Sequence, residues 1–344
     1  MAKQSSKPKV LSLEWLKSQV STRQKRARLV IIPMIVVMGA VFCYFTLTAP
    51  GFLTTGNAIN MAQRMPTLII VSVAQTLVII AAGIDLSVGA VLAFSGSLTA
   101  VSFCYWGLPV WVAILLGLVA GTFIGSITGL IITKGRIPDF IATLGMMVTI
   151  RGVALILTRG LPVPSHVTAV ELRAYLPPEI IWLGSGNILG IPTPLIIALA
   201  VVVIGWIILN HTALGRSLFA VGGNKDAAAI SGINVNFTKI KVYAIAGLLS
   251  ALAGILLIGR MNSANALMAD EANLQSIAAV VIGGTNLFGG QGGVIGSLFG
   301  AVVLGVLRNI LNLHNVQDFA QRVFQGLIII VVVVIDQLRR KYGR

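Results

Sequence analysis

Apolar residues along this chain come in unbroken runs near 20 residues long, separated by short polar segments rich in Gly, Pro, Lys and Arg. They do not alternate with polar residues on a helical or strand period, as the half-exposed elements of a soluble fold do. A run of that length matches the ~20 residues a helix needs to cross about 30 Å of hydrocarbon. Spans are predicted at about 29–48, 66–83, 87–105, 108–133, 138–158, 193–210, 242–259, 274–288, 292–311 and 320–337. Strands of a membrane barrel alternate in polarity and these runs do not, so each span is read as a helix. The predicted fold class is an all-α integral membrane protein of about ten transmembrane helices.

Composition agrees. Of 344 residues, 56% are hydrophobic and 10% charged, against about 25% charged in soluble domains. A net charge of +15 suggests nucleic acid in a soluble chain. Here eight of the 25 Lys and Arg precede residue 29 and most others fall between apolar runs. No basic face interleaves with stacking aromatics, so nucleic acid is excluded as a partner and membrane lipid is implied. Placing the N-terminus inside puts 18 Lys and Arg on cytoplasmic segments and four (Arg64, Arg159, Arg173 and Arg260) outside. Both termini are therefore predicted to be cytoplasmic. Arg151, Arg308 and Arg322 fall within spans, towards their outer ends. The stretch 29–48 is too long for a cleaved signal and lacks a small-residue cleavage site, so it reads as the first span. Residues 1–28 form a basic cytoplasmic segment, 29–338 the polytopic domain and 339–344 a basic tail.

Candidate chemistry is sparse. Cys43 and Cys104 lie in or beside apolar runs without metal spacing, and the three histidines at 166, 211 and 314 are scattered, so no metal centre is expected. Two polar segments are long: an external one at about 159–192, read as an ordered cap, and a cytoplasmic one at about 211–241. In the latter, Asp226-Ala227-Ala228-Ala229 is a good helix former that starts near Asn224 and ends at Gly232. Residues 79–97 resemble 280–297: each is an apolar helix, a Gly-Ile-Asp-Leu or Gly-Thr-Asn-Leu break, then a Gly-rich helix start. Matched breaks in two halves of a transporter point to its pathway, while small residues also simply permit close packing.

Asp85 and Ser87 lie in the first break, and Asn286 is the counterpart of Asp85 in the second. A carboxylate at mid-membrane costs about 2.5–3.5 kcal/mol and implies function; at a helix start it can equally be a cap. Both roles stay open. Arg151 either snorkels outward, the favoured reading, or lines a polar cavity.

Five stretches resemble the permeases of ribose, arabinose and galactose ABC importers: Gly83–Gly89, Gly135–Gly145, Thr212–Arg216, Ala220–Asn224 and Ala278–Thr285. The resemblance runs from about residue 50 to 340. It implies a permease in the bacterial inner membrane that works as a pair, with two ATP-binding cassette subunits inside and a periplasmic binding protein outside. ATP and Mg belong to the ATPase partner and no cofactor to this chain, which has no GxxxxGK[ST] phosphate loop and is not itself an enzyme. Asp226, Ala227, Ala228 and Gly232 are similar in spacing to the Glu-Ala-Ala coupling motif of importer permeases, with Asp in place of Glu. The implied cargo is a monosaccharide, with ribose or a similar pentose in front. An ion-driven secondary transporter is the alternative, but it would place several acidic residues or a His relay inside its spans. Here Asp85 is the one acidic residue at the heart of an apolar segment.

Overall fold

The computed structural model describes residues 39–40, 43–44, 47–165, 173–327 and 330. Segment 1–28, most of span 29–48, the later part of span 320–337 and the tail 339–344 lie outside the described residues. The chain divides into two units, Met1–Pro50 and Gly51–Arg344. In the first, residues 43–44 and 47–48 are helical, and the Thr48 hydroxyl donates to the Tyr44 carbonyl at 2.9 Å.

The second unit is helical. In chain order it contains α1 (Thr55–Ile80), α2 (Val88–Cys104), α3 (Val110–Gly135), α4 (Asp139–Thr158) and α5 (Pro178–Ser185). A minimal hairpin of β1 (Asn187–Ile188) and β2 (Ile191–Pro192) leads into α6 (Thr193–His211), α7 (Ala213–Gly223) and α8 (Lys225–Ile230). Then come α9 (Val235–Met261), α10 (Ala272–Ile282) and α11 (Val294–Leu313). Among the described residues six helices, α1, α3, α4, α6, α9 and α11, are long and apolar enough to cross a membrane. Residues 318–327 are helical as well.

Three spans differ from their sequence forecast. The run at 274–288 is helical only over the 11 residues of α10, a rise of about 16 Å and roughly half the hydrocarbon thickness. Its apolar count continued through a non-helical loop that extends to Gly293. The helix forecast from residue 66 begins at Thr55, because Thr54 caps it by accepting from Asn57 N–H at 3.3 Å. Its polar first turns are satisfied by protein: Asn57 and Asn309 exchange reciprocal amide bonds of 3.0 and 2.7 Å. Likewise α9 starts at Val235, not 242, capped by Asn234 and with Lys239 and Lys241 inside the helix.

Helix α9 is the hub, packing on α1, α2, α3 and α5. Its closest neighbour is α3, where Gly117, Gly121, Gly125 and Gly129 recur every fourth residue on one face. A Cβ at Gly121 would meet Ala251 Cβ and Gly247 O, each at 2.6 Å, and one at Gly125 would strike Tyr243 O. A glycine face of this kind lets two backbones touch, which is how helices associate where lipid removes the hydrophobic drive. Within the forecast cap at 159–192 the same device recurs: α5 lies on the C-terminal end of α9, with Gly184 against Leu256, Gly259 and Arg260. Residues 166–172 of that segment lie outside the described residues.

Candidate functional site

Both helix breaks exist and share one local geometry. Between α1 and α2, Asp85 Oδ1 accepts from Ser87 N–H at 2.7 Å and from Ser87 Oγ–H at 2.6 Å. Between α10 and α11, Asn286 Oδ1 accepts from Phe288 N–H at 2.8 Å. Each is an Asx turn, a side chain bonding the backbone two residues on. The breaks also touch: Gly290 N–H donates to Ile80 O at 2.9 Å, and Gly289 lies against Ala82. Gly222 of α7 closes on the same carbonyl, since a Cβ there would collide with Ile80 O.

Irregular backbone inside a membrane protein must find partners within the protein. The first break finds several. Thr143 Oγ1–H donates to Ile84 O at 3.1 Å and Asn273 Nδ2 to Leu86 O at 3.2 Å. The Gln75 amide, oriented to satisfy both groups, donates to Asp85 O and accepts from Asp85 N–H, each at 3.2 Å. Asp85 is only 4% exposed. It is not the N-cap residue of α2, a position held by Ser87; it organises the turn before the cap.

Beside this break stands a cluster that the sequence did not reveal. Lys239 Nζ lies 2.7 Å from each Asp139 carboxylate oxygen, and Tyr243 O–H donates to Asp139 Oδ2 at 2.9 Å. Gly83 faces it so closely that a Cβ would sit 2.7 Å from Asp139 Oδ2 and 2.8 Å from Tyr243 Oη. Sequence reading had set Lys239 in a cytoplasmic loop and Asp139 at a helix end. Structure joins the start of α4, the start of α9 and the first break through them.

Arg151 is held by an ion pair. Its Nη2 is 2.6 Å from Asp270 Oδ1, although Arg151 lies seven residues before the end of α4 at Thr158, about 10 Å along the axis. The segment before α10 therefore packs against α4 and α2. Ala269 O lies where a Cβ on Gly89 of α2 would be 2.5 Å away.

Above that segment opens a cavity of about 460 Å³. Arg64 of α1, Arg260 of α9, Arg308 of α11 and Arg322 line it, together with Asp270 and Glu271. Glu271 Oε1 holds Arg322 Nε at 2.6 Å, and Gln275 Nε2 donates to Glu271 Oε2 at 3.0 Å and to Gln325 Oε1 at 3.2 Å. Sequence counting had noted these arginines as topology markers only. Of the forecast pathway residues, Asp85, Ser87 and Asn286 gather at the breaks, while Arg151 is linked to this cavity only through its ion pair with Asp270.

On the opposite side of α9 the polar stretch 211–241 forms α7, α8 and the first turns of α9. Asn224 caps α8, its Oδ1 accepting from Asp226 N–H at 3.0 Å and Ala227 N–H at 2.9 Å. The helix closes at Gly232, whose φ is +84°, with Gly232 N–H on Ala229 O and Ile233 N–H on Ala228 O. Ala228 is buried against Val221 and Val235; Asp226 and Ala227 face out, and Ile230 is 89% exposed. Among the described residues no group of three His, Cys, Asp or Glu could hold a metal ion.

Comparison with known proteins gives one consistent answer. The chain is 42% identical to the ribose import permease protein of Escherichia coli strain K12 over 293 residues, 85% of this chain and 89% of that one. It is 41% identical to the ribose import permease protein of Bacillus subtilis strain 168, over 84% of this chain and 87% of that one. The fructose import permease protein of Rhizobium meliloti is 34% identical, over 90% and 86% respectively. No solved structure matches the chain. The family described as branched-chain amino acid transport system / permease component matches residues 57–333, and with that span and those identities the chain belongs to it.

Proposed function

We propose that the chain is the permease subunit of an ATP-driven importer that carries ribose or a closely similar monosaccharide across the bacterial inner membrane. The observation that carries this reading is the 42% identity, over 85% of the chain, to a ribose import permease. The family description names branched-chain amino acids, but the three relatives above are named for sugars. In this reading about ten helices span the bilayer with both termini cytoplasmic, and two copies enclose the pathway. A periplasmic binding protein delivers the sugar. A separate ATPase subunit binds ATP and Mg, and this chain catalyses nothing itself.

Helix α8 is the ATPase-coupling element, with Asp226, Ala227, Ala228 and Gly232 forming and closing it. Its exposed Ile230, on a short capped helix in a polar stretch, supports a docking role, because a large isolated apolar side chain at a helix tip gains by entering a partner's groove. The contact of Gly222 and Gly290 with Ile80 gives motion of α7 and α8 a direct route to the breaks. Asp85, Ser87 and Asn286 hold those breaks, and Arg151 is linked to the cavity through Asp270.

The test is reconstitution with the ATPase and the binding protein in liposomes, following labelled D-ribose. ATP-dependent accumulation that requires both partners supports the reading. Uptake driven by a proton or sodium gradient without the ATPase replaces it with a secondary transporter.

A further inference from the structure

The cavity carries a charge imbalance that neutral-sugar transport leaves unused. Four guanidiniums line it, those of Arg64, Arg260, Arg308 and Arg322. Of its carboxylates, Asp270 is engaged by Arg151 at 2.6 Å. Glu271 is engaged by Arg322 at 2.6 Å, with Arg308 no nearer than 4.0 Å. Asp318 is exposed and, among the described residues, forms no ion pair. Arg64 and Arg260 likewise meet no carboxylate within 4.0 Å.

Arg260 is partly buried at the end of α9, and Arg64 and Arg308 both press like charge upon it. A guanidinium withdrawn from water without a counter-charge is costly. Converging guanidiniums with planar donor forks match the oxygens of a carboxylate or phosphate. Gln275, Gln325, Asn309 and Asn312 share the wall; Asn309 is engaged by Asn57, and Gln275 by Glu271 and Gln325, which leaves, among the described residues, the Gln325 and Asn312 amide N–H groups to donate to hydroxyls. The volume of about 460 Å³ lies in the range of small-molecule sites.

We propose that this cavity binds an anionic, hydroxyl-bearing solute of the sugar-acid or sugar-phosphate class, its oxyanion held by Arg64, Arg260 and Arg308. The polyhydroxylated frame rests on the importer reading above; the anion contact rests on the cavity alone.

Full-length permease in a sugar-free non-ionic detergent, titrated calorimetrically with D-ribonate and with D-ribose, tests it. Ribonate should bind about tenfold or more tighter than ribose, and Arg64→Gln and Arg260→Gln should each weaken ribonate about tenfold while sparing ribose. Equal affinities for the two compounds overturn the proposal. So does unchanged ribonate affinity in Arg64→Gln, an exposed position whose replacement leaves the fold intact. Nanodiscs with and without phosphatidylglycerol supply a second arm. Ribonate should bind in both, and displacement of ribonate by the anionic lipid would make the cluster a headgroup site and overturn the solute assignment. ATP-driven uptake in the same preparation keeps the two readings apart. Ribose uptake without ribonate preference removes the anion site alone; ribonate binding without ATP-driven uptake removes the importer reading alone.

Discussion

Lys239 and Asp139, one hundred residues apart, meet with the ammonium nitrogen 2.7 Å from both carboxylate oxygens. Their side chains are only 13% and 14% exposed. The pair ties the start of α9, four residues beyond its first residue Val235, to the start of α4, and leans on Gly83 of the first break. Helix α9 follows α8 directly. The pair therefore stands between α8 and the break.

Removing one partner strands the other. Asp139→Asn leaves a poorly solvated ammonium, a change that costs about 3–5 kcal/mol when a buried pair is broken. The expected result is a clear loss of thermal stability in detergent, measured by fluorescence size-exclusion, together with lost uptake. Asp139→Asn combined with Lys239→Met should regain most of the stability, because no charge is left unpaired. Stability in the single variant equal to the wild type would mean that the pair is solvated and carries no structural role.

Gly83→Ala probes the same place from the backbone side. The new Cβ would lie 2.7 Å from Asp139 Oδ2 and 2.8 Å from Tyr243 Oη, closer than such atoms approach. The cluster or the break must move. Uptake should fall about tenfold or more with insertion near normal, by analogy with the ~1–3 kcal/mol cost of overpacking a well-filled site. Gly145→Ala is the control, since nothing lies within 4 Å of its Cβ position. Equal uptake by the two variants would detach Gly83 from the transport cycle.

Local signals were legible and distant pairings were not. Asn224, the alanine run and Gly232 announce α8 because caps and helix propensity act within a few residues. The two breaks showed as Gly-Ile-Asp-Leu and Gly-Thr-Asn-Leu, and the matching Asx turns follow from Asp and Asn at the same place. Asp139 with Lys239 and Arg151 with Asp270 join residues 100 and more positions apart, so Lys239 looked like a loop charge, Asp139 like a helix-end charge and Arg151 like a lone charge within a span. The polar first turns of α1 misled for a related reason: hydropathy assumes lipid outside, whereas Asn57 faces Asn309. The cavity needed four separate segments and left no linear trace.

Asp85→Asn separates the charge of Asp85 from its geometry. An asparagine oxygen can accept from Ser87 N–H as the Asp85 oxygen does at 2.7 Å, just as Asn286 accepts from Phe288 N–H in the second break. The bonds from Thr143, Asn273 and Gln75 run to backbone atoms and need no charge. Uptake by Asp85→Asn should stay near wild type, while Asp85→Ala, which loses the Asx turn, should lose most of it. If both variants are equally inactive, the carboxylate charge itself serves the transport cycle.

Gly232→Val tests the coupling helix without touching any candidate span. Gly232 sits at φ +84° with nothing within 4 Å of a Cβ built on it, so the substitution introduces no clash. Its cost is conformational: a left-handed backbone is about 1–2 kcal/mol unfavourable for an ordinary residue and worse for a β-branched one. The C-terminal closure of α8 through Gly232 N–H on Ala229 O and Ile233 N–H on Ala228 O then frays, and exposed Ile230 loses its fixed position. Insertion should be normal, whereas ATPase attachment, substrate-stimulated hydrolysis, or both should be lost from the reconstituted complex. Gly232→Asn gives the discriminating control, because asparagine tolerates the left-handed region and should restore much of the coupling. Full attachment and stimulation in Gly232→Val would remove α8 from the coupling role and turn attention to the turn between α3 and α4 at residues 136–138.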